Sequence, residues 1–433
     1  MTARIFIFIA MLIGQVYRLA LAHAADVQRK KPLPEEVADV YDADRYQTFL
    51  EYTADRKKLR NKFKIVNLAI ECLLIFSPVY GYIEKLCSGN AYGVFFVTFG
   101  IVWLIELVID VWADYEVTFH LLEKYGMNKK DRREFVKDEI LEQSLELVVM
   151  VAFMSVVIYV GEHLAGWTNN FSIGLLKSLL LCGIVGVVGA LVLAVLQLIS
   201  YGVLRKQYTF TPMEDGELKD KINKLQESSK RKVKHIYVYN ESKKTTTKNA
   251  FLLKLFWHKE FGIADNFMNE NAEEELLAVL SHEVGHLKHR KDFWNFIDYG
   301  IKALLAAAVV AIVADPSVCL WMNDWIRRSF DITINNYYLT FTVYSYIVSP
   351  IFWLYGIFGS YKSKKEEYEA DREAVANGYG EALIKTFKSL SSDELVDVNP
   401  HPFIEFTEYD HPGMYRRIKA IQEAASADQN SII

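Results

Sequence analysis

The sequence has only four cysteines in 433 residues, Cys72, Cys87, Cys182 and Cys319, and no C-x-x-C pair among them. All four lie in or beside apolar segments. That argues against a cysteine-ligated metal and for small apolar residues in helices, with a Cys87–Cys319 bridge as the one pairing left open. No basic cluster with interleaved aromatics occurs, so no nucleic-acid partner is expected. Neither sign of charge dominates, the net charge being -5. What the sequence does have is apolar residues, 52% against 24% charged. In a chain long for one soluble core, that mix reads as apolar spans interleaved with charged segments.

Seven apolar segments lie at about 4–22, 64–85, 92–112, 145–165, 173–204, 298–314 and 336–359. Each is near the ~20 residues a bilayer span needs. The first also resembles a cleaved signal peptide, with Arg4, the run Ile5 to Ile13, then Ala22-His23-Ala24. A retained helix is preferred, because the connecting charges then alternate. The connections after the first, third, fifth and seventh spans are rich in lysine and arginine. Those at 86–91 and 166–172 have none, and 315–335 has only Arg327 and Arg328. The positive-inside rule then leaves the N-terminus outside and the segments 205–297 and 361–433 in the cytoplasm, with membrane segments at 1–204 and 298–360. Glu71, Glu106, Asp110 and Glu146 fall within spans and should face protein or a water-filled cavity, although Asp110 and Glu146 could also reach water at the interface. Pro78 and Pro350 should kink their helices.

In the first polar stretch, Leu218, Ile222 and Leu225 mark a short amphipathic helix. His235–Tyr239 alternates like a strand, and Asn249–Leu252 and Phe261–Ile263 begin two more. The strand before the next helix could hold an extended peptide by edge pairing, or be a plain hairpin packed on that helix. The helix itself is Glu273–His289, with Leu276, Val279, Leu280, Glu283 and Leu287 at helical spacing. Acids at its start and Lys288–Lys291 at its end suit the helix dipole. His282 and His286 are one turn apart and point the same way, as two ligands of one zinc would. Glu283 lies beside them, placed to take a proton from an attacking water. Small Ala278 and Gly285 flank the histidine face, where a second element must approach.

That element should be the helix Lys364–Ala376. From Glu367, the positions three, four and seven further on are Ala370, Asp371 and Ala374, a small, acid-bearing face. From Glu366 the same offsets give Glu369, Ala370 and Glu373, read as solvated. Glu367 is therefore the expected third ligand, giving one zinc per chain with an open position. Asp371, one turn on, can fix the tautomer of a ligating histidine. His289 shares the histidine face but is about 10 Å along the axis from His282, too far to close one site with both, and should be solvated. His411, or an arginine after it, could stabilise an oxyanion.

These residues together resemble a known family. His282-Glu283-Val284-Gly285-His286, Glu367–Asp371, His411-Pro412 and Arg417–Ile421 resemble the gluzincin metallopeptidases of the type I CAAX prenyl endopeptidase kind. Phe210–Leu218 and Glu123–Lys129 resemble further family segments, so the likeness covers nearly the whole chain. It implies a mostly α fold, a seven-helix transmembrane barrel enclosing a chamber, with a zincin-like α+β metalloprotease domain on the cytoplasmic side. The membrane would be the endoplasmic reticulum or a bacterial inner membrane. It implies hydrolysis of a protein or peptide substrate, a prenylated C-terminal CAAX tripeptide first of all, by a monomer in the bilayer. His282, His286 and Glu367 would bind zinc, Glu283 would be the general base, and Asp371 and His411 would assist catalysis. Asn249 and Arg417 would bind substrate. The family usually has proline where this chain has Gly413, and glycine soon after Asn249-Ala250-Phe251 where this chain continues Leu252-Leu253-Lys254-Leu255. A quality-control protease and a non-catalytic membrane scaffold are the rival readings.

Overall fold

The computed structural model describes residues 1–168, 187, 195–227, 229, 232–255, 258–270, 273–288 and 316–432. Most are helical. α1 (Ala3–Arg29) is capped by Thr2, whose side chain accepts from the Ile5 amide. α2 (Ala43–Phe76) is capped in the same way by Asp42. Pro78 then breaks the path: α3 (Val79–Leu86) leaves α2 at 62°. α4 (Ala91–Glu116) starts at an Asn90 cap and runs on through a π-turn, Val117–Leu122. α5 (Arg132–Thr168) follows.

α1, α4 with its π-turn, and the long helix described below are long and apolar enough to cross a membrane, and the bent α2–α3 pair makes a fourth. The expected fourth span lies within α5. Most of the expected fifth span, all of the sixth and His289 lie outside the described residues. Cys72 and Cys87 are free thiols, so the pairing of Cys87 with Cys319 is not made. Glu106 is within electrostatic reach of Asp110, Glu71 and Glu146. Acids from α2, α4 and α5 thus lie close enough to one another to interact.

The polar stretch builds a four-stranded sheet. Its strands are β1 (Phe210–Pro212), β2 (His235–Tyr239), β3 (Ala250–Leu255) and β4 (His258–Ala264), in the order β1-β2-β4-β3. β2 and β4 are parallel; the other two pairings are antiparallel. β3 is therefore an edge. β1, too short for a periodicity to register, was not legible in the sequence. α6 (Glu217–Leu225) buries Ile222 fully beneath the sheet's rim. α7 (Asp265–Glu270) leads into α8 (Glu273–Lys288).

Phe261, Ile263, Leu276, Leu280, Val284 and Leu287 form the core between sheet and α8. A second core lies on the other side of α8. It joins Ala278 to Phe49 and Tyr52 of α2, Ala374 of the long helix, and residues of the last helices. α9 (Pro316–Phe330) precedes that long helix, α10 (Tyr337–Ala376), which starts at an Asn336 cap. Pro350 lies inside α10 without ending it. α11 (Gly380–Asp393), α12 (Pro402–Glu408) and α13 (Met414–Ile432) complete the chain.

The segment before β3 is tied to the loop before α5. Lys129 N–H donates to the Lys244 carbonyl at 3.0 Å. Lys244 Nζ, buried, reaches both oxygens of buried Asp138 at 3.0 and 2.8 Å, and Lys130 adds a second cation at 2.9 Å. Removing one member of a buried pair costs about 3 kcal/mol, because the other charge stays buried. Lys244→Met should therefore lower the thermal midpoint of the detergent-solubilised protein by roughly 5 °C. An unchanged midpoint would mean that this junction contributes nothing to stability.

Candidate metal centre

α8 is buried on two sides, which is why its pattern is denser in apolar residues than a surface helix requires. Its third contact is the closest. A Cβ on Gly285 would lie 2.7 Å from the Ala370 Cα and 3.1 Å from the Ala370 Cβ. Glycine on one helix and alanine on the other thus let α8 and α10 cross nearly backbone to backbone. Glu367 sits one turn before that crossing on α10, and His282 and His286 lie either side of it on α8.

The three side chains converge. His282 Nε2 and His286 Nε2 are 3.2 Å apart. Glu367 Oε1 lies 3.2 Å from His286 Nε2, and Oε2 lies 3.5 Å from His282 Nε2. Ligands about 2.05 Å from a tetrahedral zinc would be separated by about 3.3 Å. Two imidazoles and a carboxylate at that spacing fit zinc in kind and in geometry. Among the described residues this is the one group of three or more such donors within 4.8 Å of one another.

Around them is a buried charge network. His282 Nδ1–H donates to Asp371 Oδ1 at 2.9 Å, which leaves the Nε2 lone pair for the metal side. Arg417, from α13, donates to both oxygens of Asp371 at 2.9 and 2.6 Å and lies 3.2 Å from Glu367 Oε2. Its guanidinium also lies over the Phe387 ring at 4.3 Å. Glu367 and Asp371 lie on the polar end of α10, beyond its apolar stretch. Burial alone would raise both carboxyls. For Glu367 the His286 hydrogen bond, Arg417 and the two imidazoles outweigh it and hold the group at about 2. For Asp371, Arg417 and His282 do the same, also to about 2. Both stay ionised, as a ligand and a histidine partner must.

Glu283 is half-buried on the turn between the two histidines. His411 stands at the exposed side of the cluster, with Nε2 at 3.4 Å from Glu367 Oε1 and Nδ1 at 2.8 Å from Asp410. Asn249 stands apart. It is exposed at the head of β3, its carbonyl accepts from the Ala264 amide at 2.9 Å, and its side chain pairs with Tyr239.

Two features were not legible in the sequence. Arg417, expected at the substrate, is buried and paired with both carboxylates. Glu373, assigned to a solvated face, is buried: Lys288 donates to it at 2.9 Å, while Asn377 reaches Ser281 at 2.9 Å. The close crossing brings a further turn of α10 under α8, and no local periodicity encodes where the partner helix lies. The charge pattern of Lys288 and Glu373 is the one signal that could have suggested it.

The crossing yields a direct test. Gly285→Ala places a methyl against backbone that cannot swing away, so zinc affinity should fall about 100-fold, read by competition with a chromophoric chelator. Unchanged zinc affinity would show that the helices need not approach so closely.

Residues 23–185 match the family described as "CAAX prenyl protease N-terminal, five membrane helices", and residues 212–425 match peptidase family M48. "Probable CAAX prenyl protease 1" of Schizosaccharomyces pombe is 25% identical over 413 residues, spanning 91% of this chain and 82% of that protein. The Arabidopsis thaliana "CAAX prenyl protease 1 homolog" is 22% identical, spanning 90% of each. The crystal structure of S. mikatae Ste24p shares the fold, with a TM-score of 0.80 at 20% identity over 97% of this chain and 99% of that one. Since the two family matches take in both the apolar N-terminal part and the histidine–glutamate centre, this chain belongs to peptidase family M48 and is a membrane-embedded metallopeptidase of the CAAX prenyl protease kind.

Proposed function

We propose that this protein is a zinc metalloendopeptidase that cleaves the C-terminal tripeptide from prenylated CAAX proteins. The observation that carries the reading is the convergence of His282, His286 and Glu367 at zinc-ligand spacing, with Glu283 beside them. Relatives whose names state CAAX prenyl protease activity match over most of the chain. Seven spans would enclose a water-accessible chamber; the mutual proximity of acids from α2, α4 and α5 supports it, since charges clustered within spans need water or protein around them. The segments 205–297 and 361–433 together form the protease domain on the cytoplasmic side, of the endoplasmic reticulum in a cell that prenylates proteins.

Zinc held by the three ligands would polarise the scissile carbonyl and acidify the attacking water. Glu283 accepts that water's proton and returns it to the leaving amine. Asp371 keeps His282 in the tautomer that presents Nε2, and Arg417 keeps both carboxylates ionised. Arg417 is thus a positioning residue rather than a substrate contact. His411, at the open side, would donate to the developing oxyanion. Edge strand β3 would pair with an extended peptide, Asn249 standing at its head.

The test sets a farnesylated CAAX peptide beside an unmodified unfolded protein. Cleavage of the first alone supports the proposal. Cleavage of the second alone would make the protein a quality-control protease, and cleavage of neither a scaffold. In the same assay Glu283→Gln should keep one zinc per chain and lose at least ~1,000-fold in rate, within the range a positioned proton-transfer group contributes. A zinc-replete Glu283→Gln protein with wild-type rates would remove Glu283 from the mechanism.

A further inference from the structure

Three cations on the facing sides of α1 and α2 have no part in the scheme above. The register of that pair is set at both ends. Phe8 meets Phe76 edge-on at 5.6 Å between ring centres, and Asp26 is ion-paired with Lys57. α1 and α2 are therefore antiparallel, with Arg18 level with Lys64. α1 also runs alongside α10, where Tyr17 meets Trp353 edge-on at 5.9 Å.

The inward direction follows from the buried stripe of each helix. On α1, Ala3, Ile7 and Met11 are buried, and Arg18 is two turns further along that stripe. On α2, Ile75 is buried and Cys72 and Leu68 pack on the same cluster; Lys64 and Arg60 are its next two turns. An apolar seam thus becomes cationic. Lys64 is within electrostatic reach of both Arg60 and Arg18. The acids near them are Asp26, already paired with Lys57 and Arg29, and Glu71 near Arg18. Arg18, Arg60 and Lys64 have no ion pair or hydrogen bond among the described residues. Arg18 and Arg60 are exposed and Lys64 is half-buried, so the three are open to a ligand, and their mutual repulsion favours an anion that joins them.

We propose that Arg60, Lys64 and Arg18 form a binding site for a carboxylate or phosphate group, and that its occupant is the free α-carboxylate at the C-terminus of the peptide being cleaved. The choice of occupant rests on the peptidase reading and on the level of Arg60 along the helix axes. Through the paired helices, Arg60 is level with about residue 359 of α10, eight residues before Glu367, which is about 12 Å along the axis. Three residues beyond a scissile bond span about 10 Å, of the same order as that axial offset. Lys64 and Arg18 lie deeper and strengthen the field at that point. A lipid phosphate is the other source of the same chemistry.

The test uses the full chain in phosphatidylcholine nanodiscs. Binding of a fluorescent farnesylated CAAX tetrapeptide is measured as the free acid and as the C-terminal amide. The wild type should bind the acid about tenfold more tightly, and Arg60→Gln with Lys64→Gln should abolish the difference. Arg60→Lys should retain most of it, and Arg60→Gln alone serves if the double variant does not fold. Equal binding of acid and amide, together with a thermal midpoint raised by phosphatidylglycerol in the wild type alone, assigns the site to lipid phosphate and overturns the carboxylate. Neither response overturns the site altogether. Cleavage is scored separately, so an inactive chain that still prefers the acid sinks the peptidase reading and leaves the anion site standing.

Discussion

Everything in this protein's chemistry depends on two helices meeting without side chains between them. Gly285 faces Ala370 at a separation that leaves no room for even one more carbon. That contact fixes the distance from the α8 histidines to the α10 glutamate. It also costs conformational freedom, since glycine inside a helix weakens it by about 1 kcal/mol relative to alanine. The burial of α8 between a sheet on one side and a helical cluster on the other offsets that cost.

The close crossing also explains the second layer of the site. A carboxylate brought against two imidazoles in a buried place needs compensation, and Arg417 supplies it from a third helix. One cation serves two acids, Glu367 and Asp371, so the proposed ligand and the carboxylate on His282 are tuned together. α13 thereby becomes part of the proposed metal centre through Arg417 rather than through a ligand. The same logic places Lys288 against Glu373 one turn on. α10 then carries this arrangement toward the membrane, since one continuous helix holds both the apolar stretch and Glu367.

How much of this was visible in the residues depends on whether the cause was local. The helix at Glu273–Lys288, the strand at His235–Tyr239, the short helix around Ile222 and the placing of Glu367 beside the histidines all follow from periodicity, and each appears in the structure. So does the need for a partner at Gly285, because a glycine among helix formers has to be explained. The burial of Glu373 and the partners of Arg417 do not follow, because they depend on which helices cross and at what height. Three-residue β1 escaped because pairing with β2, not its own pattern, makes it a strand. Pro78 lies at a 62° bend, in line with the expected kink, and Pro350 lies within the continuous α10.

The central claim is a zinc ion shared by two segments of the chain that lie on either side of the last apolar spans. X-ray absorption at the zinc edge of the zinc-loaded full-length protein tests it most directly, compared with the same protein carrying Glu367→Ala. The account predicts two imidazole nitrogens and carboxylate oxygen at about 2.0–2.1 Å in the wild type, with the carboxylate contribution lost in the variant. An unchanged spectrum in the variant would show that Glu367 is not a ligand and would contradict the account.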